Sequence, residues 1–311
     1  LENLREPEAA LANFRASGLL LERLSAKNPT DTGLKRSVAN NKAWIADATR
    51  RVGNADEVLH ARELQRGILA ELIAVDLQDK QALRQLIHVD RAVAKVMLFQ
   101  GEFQSALDHY LAAARRADAL VTSDPENKYW AYQRAEISFD LAESLMKIGD
   151  FDAARQRLDE GKLLSEPLLN SDKVSIEKQI LLGFGGALLN LKLKSEAQKS
   201  TIPMSELEDL LQRMLAGQAG VLQHDVGRMI FASIYVLKAK VLIAAGDDTA
   251  ARELLHALWS GRTSIGALEL TQNQDPKWMR LVAEVASMIS EEDVSAAMRQ
   301  TLEQRGYSTN F

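Results

Sequence analysis

Five histidines, His60, His88, His109, His224 and His256, are the side chains of this sequence best suited to metal ligation or proton transfer near neutral pH. No two share a helical turn and no carboxylates join them at ligand spacing, so no metal site is expected. His88-Val89-Asp90-Arg91 is superficially like a kinase catalytic loop, but it lies inside a helical pattern and the other kinase signatures are absent. Gly183-Phe184-Gly185-Gly186 could be mistaken for a phosphate-cradling loop, which needs a strand before it and a helix after it; here helical patterning lies on both sides. Each interior helical glycine costs about 0.5 to 1 kcal/mol relative to alanine, so three together imply that something approaches this backbone closely. A helix crossing, a kink and a ligand site all fit that requirement. The chain has no cysteine, which removes disulfides, Cys-ligated zinc and thiol nucleophiles. No serine, histidine and aspartate set can be picked out as a triad. A non-catalytic chain without cofactor is therefore expected.

The elements that would position any site are read from Asp124 to Asn170, which forms one complete helical hairpin. Asp124-Pro125 predicts a helix start, because proline at a first helical position gives up an N–H that has no partner anyway. Trp130, Ile137, Leu141, Leu145 and Ile148 then fall on one face, with the small residues Ala131, Ala135, Ser138 and Ala142 beside them. Gly149-Asp150 predicts the turn. Phe151, Ala154, Leu158, Gly161, Ser165 and Leu168 follow at steps of three and four on a returning helix.

The same marks recur with one period along the chain. Asp31, Asp79 and Asn127 are in register, as are Asn28, Asp76, Asp124 and Asp172, and the turns Gly53-Asn54, Gly101-Glu102 and Gly149-Asp150. Ala46, Ala94 and Ala142 precede the turn glycines by a constant step, where a small side chain lets helices approach. Phe14, Tyr110 and Leu158 share a slot that Arg62 occupies in another repeat, and Leu24, Leu72, Leu120 and Leu168 share a second.

A small residue before a Gly-Asp turn, an aromatic after it and an alanine beyond resemble tetratricopeptide repeats, most fully in Ala142…Gly149-Asp150-Phe151…Ala154 and Ala94…Gly101-Glu102-Phe103…Ala106…Tyr110. Ala239…Gly246-Asp247…Ala251 carries the pattern again. The usual unit is about 34 residues, so these hairpins are longer, and with their Asp-Pro-x-Asn-x-x-Trp opening they resemble arrays in bacterial multidomain signalling proteins. The likeness covers residues 7 to 170 well and the remainder loosely. It implies an all-α fold without sheet, an antiparallel helix-hairpin solenoid of right-handed superhelical form. Residues 1–194 would be a regular array starting mid-repeat, and 195–311 degenerate hairpins with a C-terminal capping helix, in the same continuous solenoid.

In that family the first helix of each unit lines a groove. The register then gives Asn40, Asp47 and Arg50, next His88, Arg91 and Lys95, and next Glu136, Asp140, Glu143 and Lys147 as inward polar positions, basic around Arg91 and Lys95 and acidic around Asp140 and Glu143. Chaperone-tail-binding relatives clamp a C-terminal carboxylate with lysines and asparagines, and those asparagines are missing here. The implied function is a protein–protein interaction or scaffolding region of a larger bacterial signalling protein, holding a peptide, a protein or another domain of its own chain. A small-molecule sensor with its pocket near Gly183 to Gly186 or residues 195–220 is the alternative, and a hydrolase with an unrecognised site is a third.

Bulk properties agree with the scaffold. The chain has 311 residues, 46% apolar, with net charge −5, which argues against nucleic-acid binding because that needs a basic footprint. The longest apolar run, Ile180 to Leu189, is too short to span a bilayer, so no membrane insertion is expected. The first helix is in register with the second helix of each hairpin, which predicts a fragment of a longer protein on the cytoplasmic or periplasmic side. Residues 194–201 read as a loop, Ser205-Glu206-Leu207-Glu208 as a capping box, and Ser290 as the start of a terminal helix.

Overall fold

The computed structural model describes residues 6–198, 202–216, 220–261, 263 and 275–309. Among these residues the fold is all-α, without strands. The helices are α1 (Pro7–Lys27), α2 (Thr32–Val52), α3 (Ala55–Val75), α4 (Lys80–Gln100), α5 (Phe103–Ser123), α6 (Lys128–Ile148), α7 (Phe151–Ser165), α8 (Ile176–Ile180), α9 (Gly186–Gln198), α10 (Met204–Ala216), α11 (Asp225–Ala244), α12 (Asp248–Trp259), α13 (Pro276–Met288) and α14 (Glu292–Gln304). Leu181–Gly185 joins α8 to α9 as one wide π-helical turn. The chain forms two compact units, one of residues 1–120, 274–276 and 301–310, the other of 121–273, 277–300 and 311.

The periodic polar marks are helix caps. The first N–H groups of a helix lack intrahelical partners, and a short side-chain acceptor satisfies them. Asp31 accepts from the Leu34 amide at 2.9 Å, Asp79 from Ala82 at 2.9 Å, Asn54 from Glu57 at 2.8 Å, Asp150 from Ala153 at 3.1 Å and Asp247 from Ala250 at 3.0 Å. Turns fall at Gly53, Gly101, Gly149 and Gly246, as the sequence predicts. The last three are left-handed, with φ of 87°, 88° and 83°, where glycine carries no Cβ penalty.

Asp79 has a second partner, the Arg36 guanidinium, at 2.7 Å. Burial pushes its carboxyl up, but the Arg36 hydrogen bond and the α4 amides outweigh burial and hold it below the ordinary aspartate value of 3.8. A depressed acid contributes stability above its unfolded pKa and loses it as pH falls through the folded value. Asp79→Ala should therefore cost ~1 kcal/mol at neutral pH. Denaturant midpoints of variant and wild type should converge as pH drops below 3.8, and a gap that stays constant into acid would assign the loss to something other than this carboxylate.

Each unit has its own core. In the first, Ala39 of α2, Leu69 and Leu72 of α3, and Ala82, Leu86, Val89 and Val93 of α4 interlock. In the second, Tyr132, Phe139 and Met146 of α6 pack with Ala154 and Leu158 of α7, Leu182 and Leu193. Two further clusters follow, one joining α10 to α11 through Leu207, Leu210, Met214, Phe231 and Ile234, the other joining α11 to α12 and α13 through Val236, Leu255 and Val285. The small slots hold: Ala46 and Ala94 are fully buried and Ala142 nearly so.

Several boundaries differ from the sequence reading. Helix α6 begins at Lys128, not Pro125, because the Asn127 side chain takes the Tyr129 and Trp130 amides while Asp124 accepts from the Asn127 amide group. Ser205 lies within α10 rather than capping it, and the Glu206 amide bonds the Pro203 carbonyl instead. The helix that follows Asp172 starts at Ile176, and α9 continues through Gln198 where a loop was expected. The loop residues 199–201 lie outside the described residues. The terminal helix starts at Glu292, two residues beyond Ser290, which takes a positive φ of 66°. Leu24 is 49% exposed although Leu72, Leu120 and Leu168 in the same slot are buried; α1 packs in its unit against α2, which leaves that side of α1 uncovered.

Candidate functional site

The groove positions named by register occupy different environments. In the first unit, α2 carries Asn40, Asp47 and Arg50. The Gln85 side-chain amide donates to Asn40 Oδ1 at 2.6 Å. Asp47 is engaged from behind: Arg62, buried in the slot that Phe14, Tyr110 and Leu158 fill elsewhere, bonds Asp47 with one nitrogen and Gln65 Oε1 at 2.9 Å with the other. Burial lowers the Arg62 pKa and Asp47 offsets part of that. A guanidinium in an aromatic slot needs this carboxylate, because an uncompensated buried charge is strongly unfavourable.

Arg50 is held by the chain itself. It pairs with Asp275, whose charge and hydrogen bond raise its pKa against the opposing effect of burial. Arg305 Nε donates to the Gly53 carbonyl at 3.0 Å, and another Arg305 nitrogen donates to the Arg50 carbonyl. Gly53 is extended, unlike the other turn glycines.

On α4, Lys95 is exposed, His88 half-buried and Arg91 only 6% exposed. Arg91, named by register as an inward groove position, is thus a buried residue of α4. It shares the buried side of α4 with Asp90, which is 1% exposed and receives Arg66 at 2.7 Å from α3 and Arg116 from α5, with His109 Nδ1 at 3.7 Å. Arg66 also lies 3.0 Å from His109 Nδ1. The His-Val-Asp-Arg stretch is a structural anchor across three helices.

In the second unit, Glu136, Asp140 and Glu143 are half-buried on α6 and Lys147 is exposed. The stretch around Asp140 and Glu143 is not simply acidic, because other helices bring cations to it. Lys192 of α9 stands within the electrostatic reach of Glu143 and Lys147 and of Lys277 and Glu284 on α13. Burial lowers its pKa, and Glu143 opposes that most. Arg280 of α13 is pulled down to about 10 by burial, again opposed by Glu143. Lys240 of α11 pairs with Glu284 at 2.5 Å. Lys277, Arg280 and Glu284 lie beyond the expected regular array of residues 1–194, and Lys192 follows the π-helical turn at Leu181–Gly185, so spacing gave no access to them. A lone lysine inside Leu188-Leu189-Asn190-Leu191-Lys192-Leu193 was the available signal.

The glycine stretch serves as a helix crossing. A Cβ on Gly186 would meet the Phe139 ring at 2.9 Å, and one on Gly161 would meet it at 2.6 Å, so the ring lies between two glycines of neighbouring helices. Beside α9 and α10 an open cleft of about 370 Å³ is lined by Lys162, Asn190, Glu206, Asp209 and Arg213 with a few apolar side chains. Among the described residues no group of three or more His, Asp or Glu side chains could hold a metal, and no helix is long and apolar enough to cross a membrane.

No family model matches the chain, and no curated protein matches it in sequence. Among solved structures it is similar to BtubC (BKLC) from P. vanneervenii, with a TM-score of 0.52 and 17% identity over 81% of this chain and 89% of that one. The likeness is one of fold: helices in consecutive antiparallel pairs, a tetratricopeptide-like helical-hairpin array.

Proposed function

We propose that this chain is a non-catalytic recognition scaffold, and that the face formed by α6, α9 and α13 takes an acidic segment of a protein partner or of another domain of the same polypeptide. One observation carries the reading: Lys192 and Arg280, both partly desolvated, stand with Lys147 and Lys277 near Glu143 and Glu284. A carboxylate arriving there would restore to Lys192 the charge stabilisation that burial takes away, and desolvated pairs strengthen an interface more than rim charges do. The small-molecule alternative calls for a concave, mostly apolar pocket, whereas the cleft beside α9 is open and walled by charged groups. The setting within a larger signalling protein rests on the resemblance of the repeats.

Fluorescence anisotropy with labelled acidic, neutral and basic peptides of equal length tests this on the full chain. Acidic peptides should bind in a salt-dependent manner. Lys192→Glu should weaken them roughly a hundredfold, since a desolvated attraction becomes a repulsion, while Lys277→Ala at the rim should change mainly the association rate. Equal binding of basic peptides, or an indifferent Lys192→Glu, would overturn the assignment.

A further inference from the structure

The last described residues of the chain are bound in the first unit much as a peptide ligand would be. Arg305 places its guanidinium on two carbonyls at the end of α2, those of Arg50 and Gly53, and its own carbonyl accepts the Ala55 amide at 2.8 Å, the first N–H of α3. The Ser308 amide donates to the Phe99 carbonyl at 2.7 Å, in the last turn of α4. Between them Gly306 takes a left-handed φ of 74°, and the Tyr307 ring stands edge-on to Phe99 with centroids 6.3 Å apart. The Arg50, Gly53 and Phe99 carbonyls and the Ala55 amide are main-chain groups that a helix end leaves open.

The fit is also incomplete. Tyr307 is 3% exposed, yet among the described residues its buried hydroxyl has no hydrogen-bond partner. A buried polar group left unsatisfied weakens the bound state. Arg305 and Arg50 are close enough to oppose one another, with Asp275 the carboxylate acting on both. These two penalties weaken the hold of the site on the segment.

The geometry points to a peptide-recognition site, formed by the α2–α3 turn and the end of α4, that reads an Arg-Gly-aromatic segment and holds the chain's own Arg305–Ser308 in cis. Arginine is required to reach two carbonyls at once with its planar fork, glycine to take the positive φ, and an aromatic ring to meet Phe99. A partner carrying the same segment competes with the cis copy, whose tethering gives it a high effective concentration. Displacement frees the backbone around Arg50, one of the groove positions, so occupancy here regulates access to that part of the first unit. This site is separate from the α6–α9–α13 face.

The test uses a labelled peptide with the sequence of residues 303–309 and the full-length chain carrying Arg305→Ala and Tyr307→Ala. The variant should bind the peptide saturably and the wild type at least roughly tenfold more weakly, because the wild-type site is filled in cis. Peptides with Arg305→Ala, Gly306→Ala or Tyr307→Ala should each bind poorly. A variant with wild-type helicity that binds no peptide overturns the proposal, as does a wild type that binds equally well. Should the variant not fold, hydrogen exchange on the wild type decides. The Ser308 amide should exchange faster than amides of the α4 interior and faster still with excess unlabelled peptide. Exchange of Ser308 only at the global unfolding rate, unmoved by peptide, would make the segment part of the core and overturn the proposal.

Discussion

Asp90→Asn is expected to lower the unfolding free energy by ~3 kcal/mol, a larger loss than for any exposed charge, because removing one partner of a buried ion pair leaves the others uncompensated. The carboxylate side chain is 2% exposed, while its two arginine partners are 30% and 34% exposed. That difference places the effect at the lower end of the range for buried pairs, since Arg66 and Arg116 can turn partly toward water. The loss should fall on α3, α4 and α5 together, because Asp90 ties one arginine from each flanking helix to the middle one. Chemical denaturation of the first unit's signal measures it. A loss below ~1 kcal/mol, the range of a surface pair, would mean that the arginines reach solvent freely. The role of Asp90 was not legible in the sequence. Its helical context was, and that removes the kinase-like reading of His88 to Arg91; but Arg66 and Arg116 lie 24 and 26 residues away on other helices, and a helical period says nothing about which charges meet across a crossing.

Phe139→Ala should destabilise the second unit by ~3–5 kcal/mol, the usual range for deleting a core aromatic. The ring fills the space between Gly161 of α7 and Gly186 of α9, where added Cβ atoms would sit 2.6 and 2.9 Å from it. Gly161→Ala in the wild type should itself cost about 1–3 kcal/mol by overpacking. In the Phe139→Ala background the same glycine change should be neutral or stabilising, because the clash has gone and alanine is the better helix former. The coupling between the two sites is the diagnostic, since contacting residues are non-additive. Simple additivity in a double-mutant cycle would remove Phe139 from this slot.

Here the sequence was more informative. Three glycines inside a helical pattern already required a close neighbour, and a crossing was one of the readings; the identity of that neighbour, one hairpin earlier, was not available from spacing. The turn glycines Gly101 and Gly149 were legible because helix ends are local events, while Asp31, Asp79 and Asn127 showed only as a shared register whose capping role the structure supplies. The charged face was legible only on its α6 side. Asp140, Glu143 and Lys147 follow the repeat register, whereas the π-helical turn at Leu181–Gly185 shifts the phase of Lys192 on α9 and Arg280 comes from a helix beyond the expected regular array. Cations that the periodic signal did not contain therefore stand beside Glu143. Arg50 and Arg91 show the complementary limit, since register places a residue on a face of its helix but not the segment that comes to lie over it.

Photo-crosslinking of a bound acidic peptide tests the recognition face most directly, because it reports where the ligand lies rather than whether a substitution weakens it. A photoreactive side chain would replace Lys147, on the α6 side of the cation cluster, in one full-length variant, and Leu163, which is 70% exposed on α7, in another. An adduct at position 147, suppressed by Lys192→Glu and by salt, with none above background at 163, is the expected result. Equal adducts at both positions, or labelling at 163 with none at 147, would contradict the claim that α6, α9 and α13 form the surface on which this scaffold holds its partner.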